Sequence, residues 1–391
     1  MSAALTIYLK ELRESLRDRR VLLNSLLLGP LLAPLLFVII LRTTIGRELD
    51  RAQQPLSVVV NGGERAPNLV EALRQQGMVA LPPVDDIEAA VRRQRVELAL
   101  RIDEHYAQDW EAGRPAQVEI IYDSSRREGN GNVNRLQSML NYYLRRNAAM
   151  RLMTRGIAPA VGTPILIAAR DQATPAARGA LLFAMLPYFL ILTSFMGGMW
   201  LAIDSTAGER ERQSLEPLLA NPVARSHILI GKLGAAATFS FISLALGLIA
   251  FAAAATLLPA QRMEMSLDVG PRAVATILPL MVPLVLLIVV SQMLLSAFAK
   301  TYREAQTYLG LLQLLPVIPS VLLSIMPVAP TLWLYALPLI GQQLAIMQIL
   351  RGESLQASAL VLCTVTTLLA LVAVFWSARR VYESERLAVN A

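Results

Sequence analysis

Six runs of about twenty apolar residues constrain this chain more than any other feature. They lie at Val21–Leu41, Ala180–Ile203, Leu233–Leu258, Val274–Phe298, Tyr308–Met326 and Leu360–Trp376. A helix rises 1.5 Å per residue, so roughly twenty apolar residues cross the ~30 Å of hydrocarbon in a bilayer. Within lipid each backbone polar group needs an internal partner, and helices supply it. The fold class expected is therefore an α-helical polytopic membrane protein with six transmembrane helices. Composition agrees: 55% of the 391 residues are hydrophobic and 17% charged, with mean hydropathy +0.49. A soluble domain carries about a quarter charged residues. A further apolar stretch, residues 332–350, is interrupted by Pro338, Gly341, Gln342 and Gln343. It reads as a re-entrant or interfacial helical pair; a seventh span is the alternative, and would put the C-terminus across the membrane.

Orientation follows from basic residues near span ends. Lys10, Arg13, Arg17, Arg19 and Arg20 precede the first span. Arg210, Arg212, Arg225 and Lys232 occupy the second connection, Lys300 and Arg303 the fourth, and Arg379, Arg380 and Arg386 the tail (residues 378–391). The shorter loops opposite offer only Arg262, Arg272 and Arg351. Both termini are expected in the cytoplasm of a multi-pass inner-membrane protein. The net charge of +7 then reflects topology and anionic lipid, and nucleic acid is not needed to explain it. The first apolar run reads as a retained span, because a charged helix precedes it and no small-residue cleavage site follows. Cys363 lies inside the last span, so no intramolecular disulfide is expected.

Residues 43–178 form a long polar insert between the first and second spans. Leu56–Val60, Val96–Ile102 and Val118–Tyr122 read as strands, and Ile165–Ala169 as one that closes the sheet. Pro67–Gln76, Glu104–Ala112 and a long stretch from Asn132 to Arg155 read as helices. That alternation argues a small α/β domain, extracytoplasmic on the six-span topology. The basic end of its last helix (Arg145, Arg146, Arg151, Arg155) reads as a solvated or headgroup-facing surface.

Two amphipathic segments flank the spans. In residues 1–20, Leu5, Tyr8, Leu9, Leu12 and Leu16 recur at helical spacing, opposite Lys10, Glu11, Arg13, Glu14 and Arg17. Such a helix lies along the membrane surface, either as a simple anchor or as a lever between a cytoplasmic partner and the first span. In the connection 204–232, Glu209 to Gln213 are expected to begin a helix with Leu215, Leu218 and Leu219 as an apolar stripe. Glu209 and Glu211 suit its start. Pro217 bends it, Asn221-Pro222 stops it, and Ser226 caps the next helix. An apolar ridge flanked by charge fits a groove in another protein. The competing reading, a helix lying on lipid, is disfavoured by Glu209, Glu211 and Glu216 facing an anionic leaflet.

The stretch Glu209-Arg210-Glu211-Arg212-Gln213-Ser214-Leu215-Glu216, with Leu218-Leu219, Pro222, Arg225 and Gly231-Lys232, resembles the cytoplasmic coupling segment of type-2 ATP-binding-cassette (ABC) transporter permeases. The opening Lys10-Glu11-Leu12 with Arg17-Asp18-Arg19-Arg20 is similar too. The large insert narrows the resemblance to sodium-efflux (NatB-like) permeases and their drug-exporting relatives. The topology matches over essentially the whole chain, whereas the specific motif covers about thirty residues. Pro217 and Gln213-Ser214 depart from the family pattern. The resemblance implies a homo- or heterodimer of permeases docked on separate ABC ATPase subunits. It implies that Glu209, Glu211, Ser214, Glu216, Leu218 and Leu219 contact the ATPase, and that Pro222, Arg225 and Lys232 position the helix at the membrane face. ATP and Mg are then used by the partner, not by this chain.

The chain lacks the residues of an ATPase or a metalloenzyme. Gly231-Lys232 is followed by Leu233, so no phosphate-binding loop is present. His105 and His227 stand far apart in sequence, with no His-Glu-x-x-His or Gly-x-Ser-x-Gly motif and no expected metal site. No ionisable residue falls mid-span as drawn, so sodium leaves no direct signature. Asn24, Ser291, Gln292 and Gln313 are candidates for a polar pathway lining, with Thr193, Ser194, Ser240, Ser243 and Ser320. Hydrogen bonding between helices is the plainer reading of them. Gly197-Gly198 with Ser194 reads as a packing site, and the proline pairs 30/34, 279/283 and 316/319 as bends. Two functions from different classes fit: the permease of an exporter of sodium or amphipathic drugs, or a membrane-anchored ligand-binding or assembly protein. The second leaves the five spans after the insert unexplained.

Overall fold

The computed structural model describes residues 2–125, 127–162, 165, 170, 172–182, 184–214, 222–257, 269–325 and 331–383. Two compact units result, one from residues 1–45 with 172–391, the other from Gly46–Asp171.

In the first unit, six helices among the described residues are long and apolar enough to cross a membrane: Leu23–Thr43, Leu186–Glu211, Arg225–Thr256, Pro271–Phe298, Tyr302–Leu323 and Ala357–Glu383. The helix α1 (Ala3–Arg17) precedes them and stops at Asp18, whose backbone is extended. Helical turns at Arg19–Leu22 and a π-helical turn at Leu23–Leu28 then lead into α2 (Gly29–Gln53), which contains Pro34. The second span, α8 (Leu186–Ile203), is the most buried, and packs on α9 (Arg225–Thr256) and α10 (Pro271–Phe298). Small residues explain the approach. A Cβ on Gly197 would lie 2.6 Å from Ser243 Cβ and 2.8 Å from Ser240 Cα. Beside it Ser240 donates to the Ser194 carbonyl, and Ser243 to that of Thr193 at 3.3 Å. Hydroxyls here hold helix to helix.

The fifth span is broken: α11 (Tyr302–Leu312) and α12 (Val317–Ile325) flank turns at residues 313–316, where Pro316 removes a donor. The stretch 332–350 divides into a 3₁₀ turn at Leu332–Ala336 and α13 (Ile340–Leu350). Eleven helical residues reach about 16 Å, half a bilayer core. Gln342 donates to Thr367 at 2.8 Å, fastening α13 to the last span, α14 (Ala357–Glu383).

Among the described residues the second unit holds a four-stranded sheet in the order β2-β1-β3-β4, from β1 (Leu56–Asn61), β2 (Met78–Leu81), β3 (Leu98–Ile102) and β4 (Val118–Tyr122). β1 pairs parallel with β2 and β3, and β4 is antiparallel to β3. Val58–Val60 are buried, as expected of a central parallel strand covered on both faces. The helices are α3 (Pro67–Gln75), α4 (Ile87–Arg92), α5 (Tyr106–Glu111) and α6 (Arg127–Thr154). A short α7 (Pro175–Leu182) lies in the other unit. The sequence reading lacked β2 and α4. β2 has four residues before Pro82-Pro83, too few to establish an alternation. Ile165 is irregular, and residues 166–169 of the expected closing strand lie outside the described residues. Tyr106, Trp110 and Tyr143 stack in series, with the Arg151 guanidinium 4.0 Å above the Trp110 ring. Burial beside Tyr143 pushes the Tyr106 phenol up to about 12.

Candidate functional site

The helix of the second span does not stop at Ile203. It continues through a π-helical turn at Asp204–Gly208 and a last helical turn at Glu209–Glu211. Gln213, at φ 57°, then turns it off, with Gln213 N–H donating to Arg210 O at 3.0 Å and Ser214 N–H to Glu209 O at 2.9 Å. These are the paired bonds of a Schellman terminus, with glutamine where glycine is usual. A helix therefore ends over residues 209–213, where the sequence pattern led us to expect one to begin.

That extension carries Glu209 into the protein. Lys232, in the third turn of α9, is wholly buried and donates to the Glu209 carboxylate and, at 2.6 Å, to the Ser205 carbonyl. Glu11 on α1 places its carboxylate 3.9 Å from the same ammonium. Glu209 is 8% exposed and Glu11 5%. Two carboxylates thus converge on one ammonium away from water, an arrangement stable only while every partner is present. The Lys10 ammonium, on the rim, loses basicity to burial but gains more from Glu11, Glu14 and Glu209, and ends above its ordinary range.

Close packing of α1 against α9 makes the convergence possible. Ala4, Ile7, Tyr8, Glu11, Leu12 and Ser15 follow the 3–4 spacing of one helix face. A Cβ on Gly231 would lie 2.8 Å from both the Ala4 carbonyl and Ile7 Cβ, so only glycine admits α1 at this depth. Tyr8 and Thr238 hydroxyls meet at 3.2 Å. The expected leucine stripe is only partly used: Tyr8 and Leu12 pack inward, whereas Leu5 and Leu16 are exposed. Sequence reasoning missed Glu11 because it lay on the charged face of the assumed stripe. The signal available was the small residue Gly231 beside Lys232.

Further ends meet here. Arg210 donates to the carbonyls of Ala297 and Ala299, at 3.5 and 3.3 Å, where the fourth span finishes. Glu211, exposed, accepts from Tyr302 N–H at 2.7 Å at the start of the fifth. Arg225 donates to the Glu383 carbonyl at 3.1 Å, at the end of the sixth, and Tyr382 lines a small cavity with Arg210 and Ala297. Ends of the second to sixth spans and α1 therefore share one end of the bundle.

One sequence-derived role needs correcting: Glu209, expected to contact the ATPase, is buried against Lys232. Lys232, expected to position the helix, is wholly buried and pairs with Glu209 at its end. Ser214 and Pro222 are exposed on either side of the elbow. Glu216, Leu218 and Leu219 lie outside the described residues. Among the pathway candidates, Ser291 donates to its own helix at Leu287 O, 2.7 Å, and Gln292 donates to the Phe195 carbonyl, 2.7 Å. Gln292 Oε1 is buried without a hydrogen-bond partner among the described residues. Asn24 sits half-buried in the π-helical turn of the first span, and Gln313 half-buried at the break in the fifth. Among the described residues no hydrogen bond joins these four side chains to one another.

The match to known proteins spans this architecture. Residues 20–378 fit the model of the ABC-2 family transporter protein. The chain belongs to the ABC-2 family of transporter proteins. It is 27% identical over 376 residues, 95% of each chain, to the ABC transporter permease protein NatB of Bacillus subtilis (strain 168). As an ABC-2 permease it is a multi-pass membrane protein, and the site just described lies at one end of its bundle.

Proposed function

We propose that this chain is the membrane subunit of an ATP-driven exporter, and that a separate ABC ATPase docks on the elbow that leaves the second span at Glu211. The carrying observation is where that elbow is rooted: its base, Glu209, is ion-paired inside the bundle at the end where spans two to six meet. Displacement of the segment 211–222 is thereby delivered to several helices together. Basic residues near the span ends put this elbow and both termini in the cytoplasm, and the sheet-bearing unit outside. The active unit is a dimer of permeases on two ATPases. The resemblance to sodium-efflux permeases makes sodium the proposed substrate.

Charge reversal at exposed Glu211 together with Glu216 removes the ATPase from the purified complex while the permease still inserts; retained co-purification overturns the docking assignment. Vesicles holding the permease and its ATPase, compared for sodium and amphipathic-drug movement on ATP addition, test the substrate. Movement of drugs without sodium overturns sodium.

A further inference from the structure

We infer that Glu11, Lys232 and Glu209 are positioning residues that weld the N-terminal helix α1 to the elbow, so that α1 travels with the second and third spans and drives the first span through the break at Asp18. This rests on the exporter reading above and adds a route for force within it.

The two ends of α1 are built differently. Towards α9 the connection is stiff. The Gly231 contact leaves no space for sliding, Tyr8 meets Thr238, and the Lys232 ammonium is shared by carboxylates from α1 and from the end of the second span. Parting these surfaces would strand a buried charge, which is far costlier than losing an exposed ion pair. Towards its own span the chain changes direction, and Val21, Leu22 and Leu26 beyond the break pack in the same apolar cluster as Tyr8 and Leu12. At Asp18 the backbone leaves helical geometry (φ −83°, ψ 106°), and the next helical turns include the π-helical segment at Leu23–Leu28. Helix breaks and π turns concentrate bending. A shift of the elbow therefore carries α1 as one body, and the first span is drawn along through Asp18 and the packed residues Val21, Leu22 and Leu26. A merely anchoring α1 would need neither Glu11 in the interface nor glycine at 231.

The test uses the full permease with its ATPase in lipid vesicles, reading ATPase co-purification and permease-stimulated ATP hydrolysis separately. Lys232→Met is expected to keep co-purification and lower the stimulation about tenfold, in the upper range for substitutions along a coupling route. The charge exchange Glu209→Lys with Lys232→Glu is expected to recover part of it. In a Cys363→Ala background, a reducible bis-methanethiosulfonate bridge between Tyr8→Cys and Thr238→Cys, whose native hydroxyls meet at 3.2 Å, locks α1 to α9 and leaves Gly231 in place. Stimulation is expected to survive that lock to within about twofold of the reduced form. Should Lys232→Met fail to insert, the locked variant still decides. Loss of stimulation on locking, restored by reduction, overturns the weld, as does full stimulation in Lys232→Met. Absence of any ATPase with the wild-type permease would instead refute the exporter reading.

Discussion

Lys232 of the third span and Glu209 of the second form an ion pair in which the ammonium has no exposure to solvent. Its hydrogen bond to Ser205 O and the nearby Glu11 carboxylate complete the cluster. Lys232→Met leaves two buried carboxylates facing each other and is expected to cost about 3–5 kcal/mol. Adding Glu209→Gln and Glu11→Gln removes the stranded charges and should recover much of the loss. Thermal unfolding of the three purified proteins in one detergent checks this; a triple variant no more stable than Lys232→Met would refute the charge account.

Gly197 and Gly310 should respond oppositely to alanine. A Cβ at 197 collides with the backbone of the third span, whereas nothing lies within 4 Å of one at 310. Gly197→Ala is expected to cost about 1–3 kcal/mol through overpacking. Gly310→Ala should be neutral or stabilising by up to about 1 kcal/mol, since glycine weakens a helix. Denaturation midpoints of both variants in matched detergent report the difference.

Trp110 ties α5 to α6 through Arg151, which stacks on its ring and donates to its carbonyl at 2.8 Å. Arg151→Lys keeps the charge but loses the planar donor and the stacking, so it should destabilise the sheet-bearing unit almost as much as Arg151→Ala, by about 1–2 kcal/mol. Hydrogen exchange in β3 and β4 of the full chain is the readout. Equal protection in wild type and Arg151→Lys would contradict it.

The Tyr106 phenol, raised to about 12 by burial, imposes an alkaline limit on the same unit. An unfolded tyrosine ionises near pH 10, so the folded form is the poorer proton donor. Its contribution to stability is complete below about pH 10 and is lost as pH rises from there towards 12. Hydrogen exchange of β1 and β3 across that range should show protection falling, and Tyr106→Phe should flatten the fall. An unchanged slope in the variant would exclude this tyrosine as the source.

The membrane class was legible because a helix crossing lipid must be apolar over a set length, and this requirement is local. The sheet was legible where strands were long enough to show their pattern, at β1, β3 and β4. It was not legible at β2, whose four residues are placed by pairing with β1. Charged residues in the elbow likewise singled out residues 204–232 as a candidate contact segment. Which of them is exposed was beyond local pattern: Glu209 and Glu211 stand two apart, yet one is buried against Lys232 and the other exposed beside Tyr302.

By itself the sequence determined six spans, the interruption at 332–350 and the absence of a nucleotide-binding loop, because each depends on hydropathy or on contiguous residues. Only the tertiary structure decided that Glu11, Glu209 and Lys232 meet. They are brought together from three separate segments by Gly231 admitting α1 and by a π turn that prolongs the second span. The reason is physical: a charge's burial depends on what packs over it, and the covering atoms here come from residues two hundred positions away.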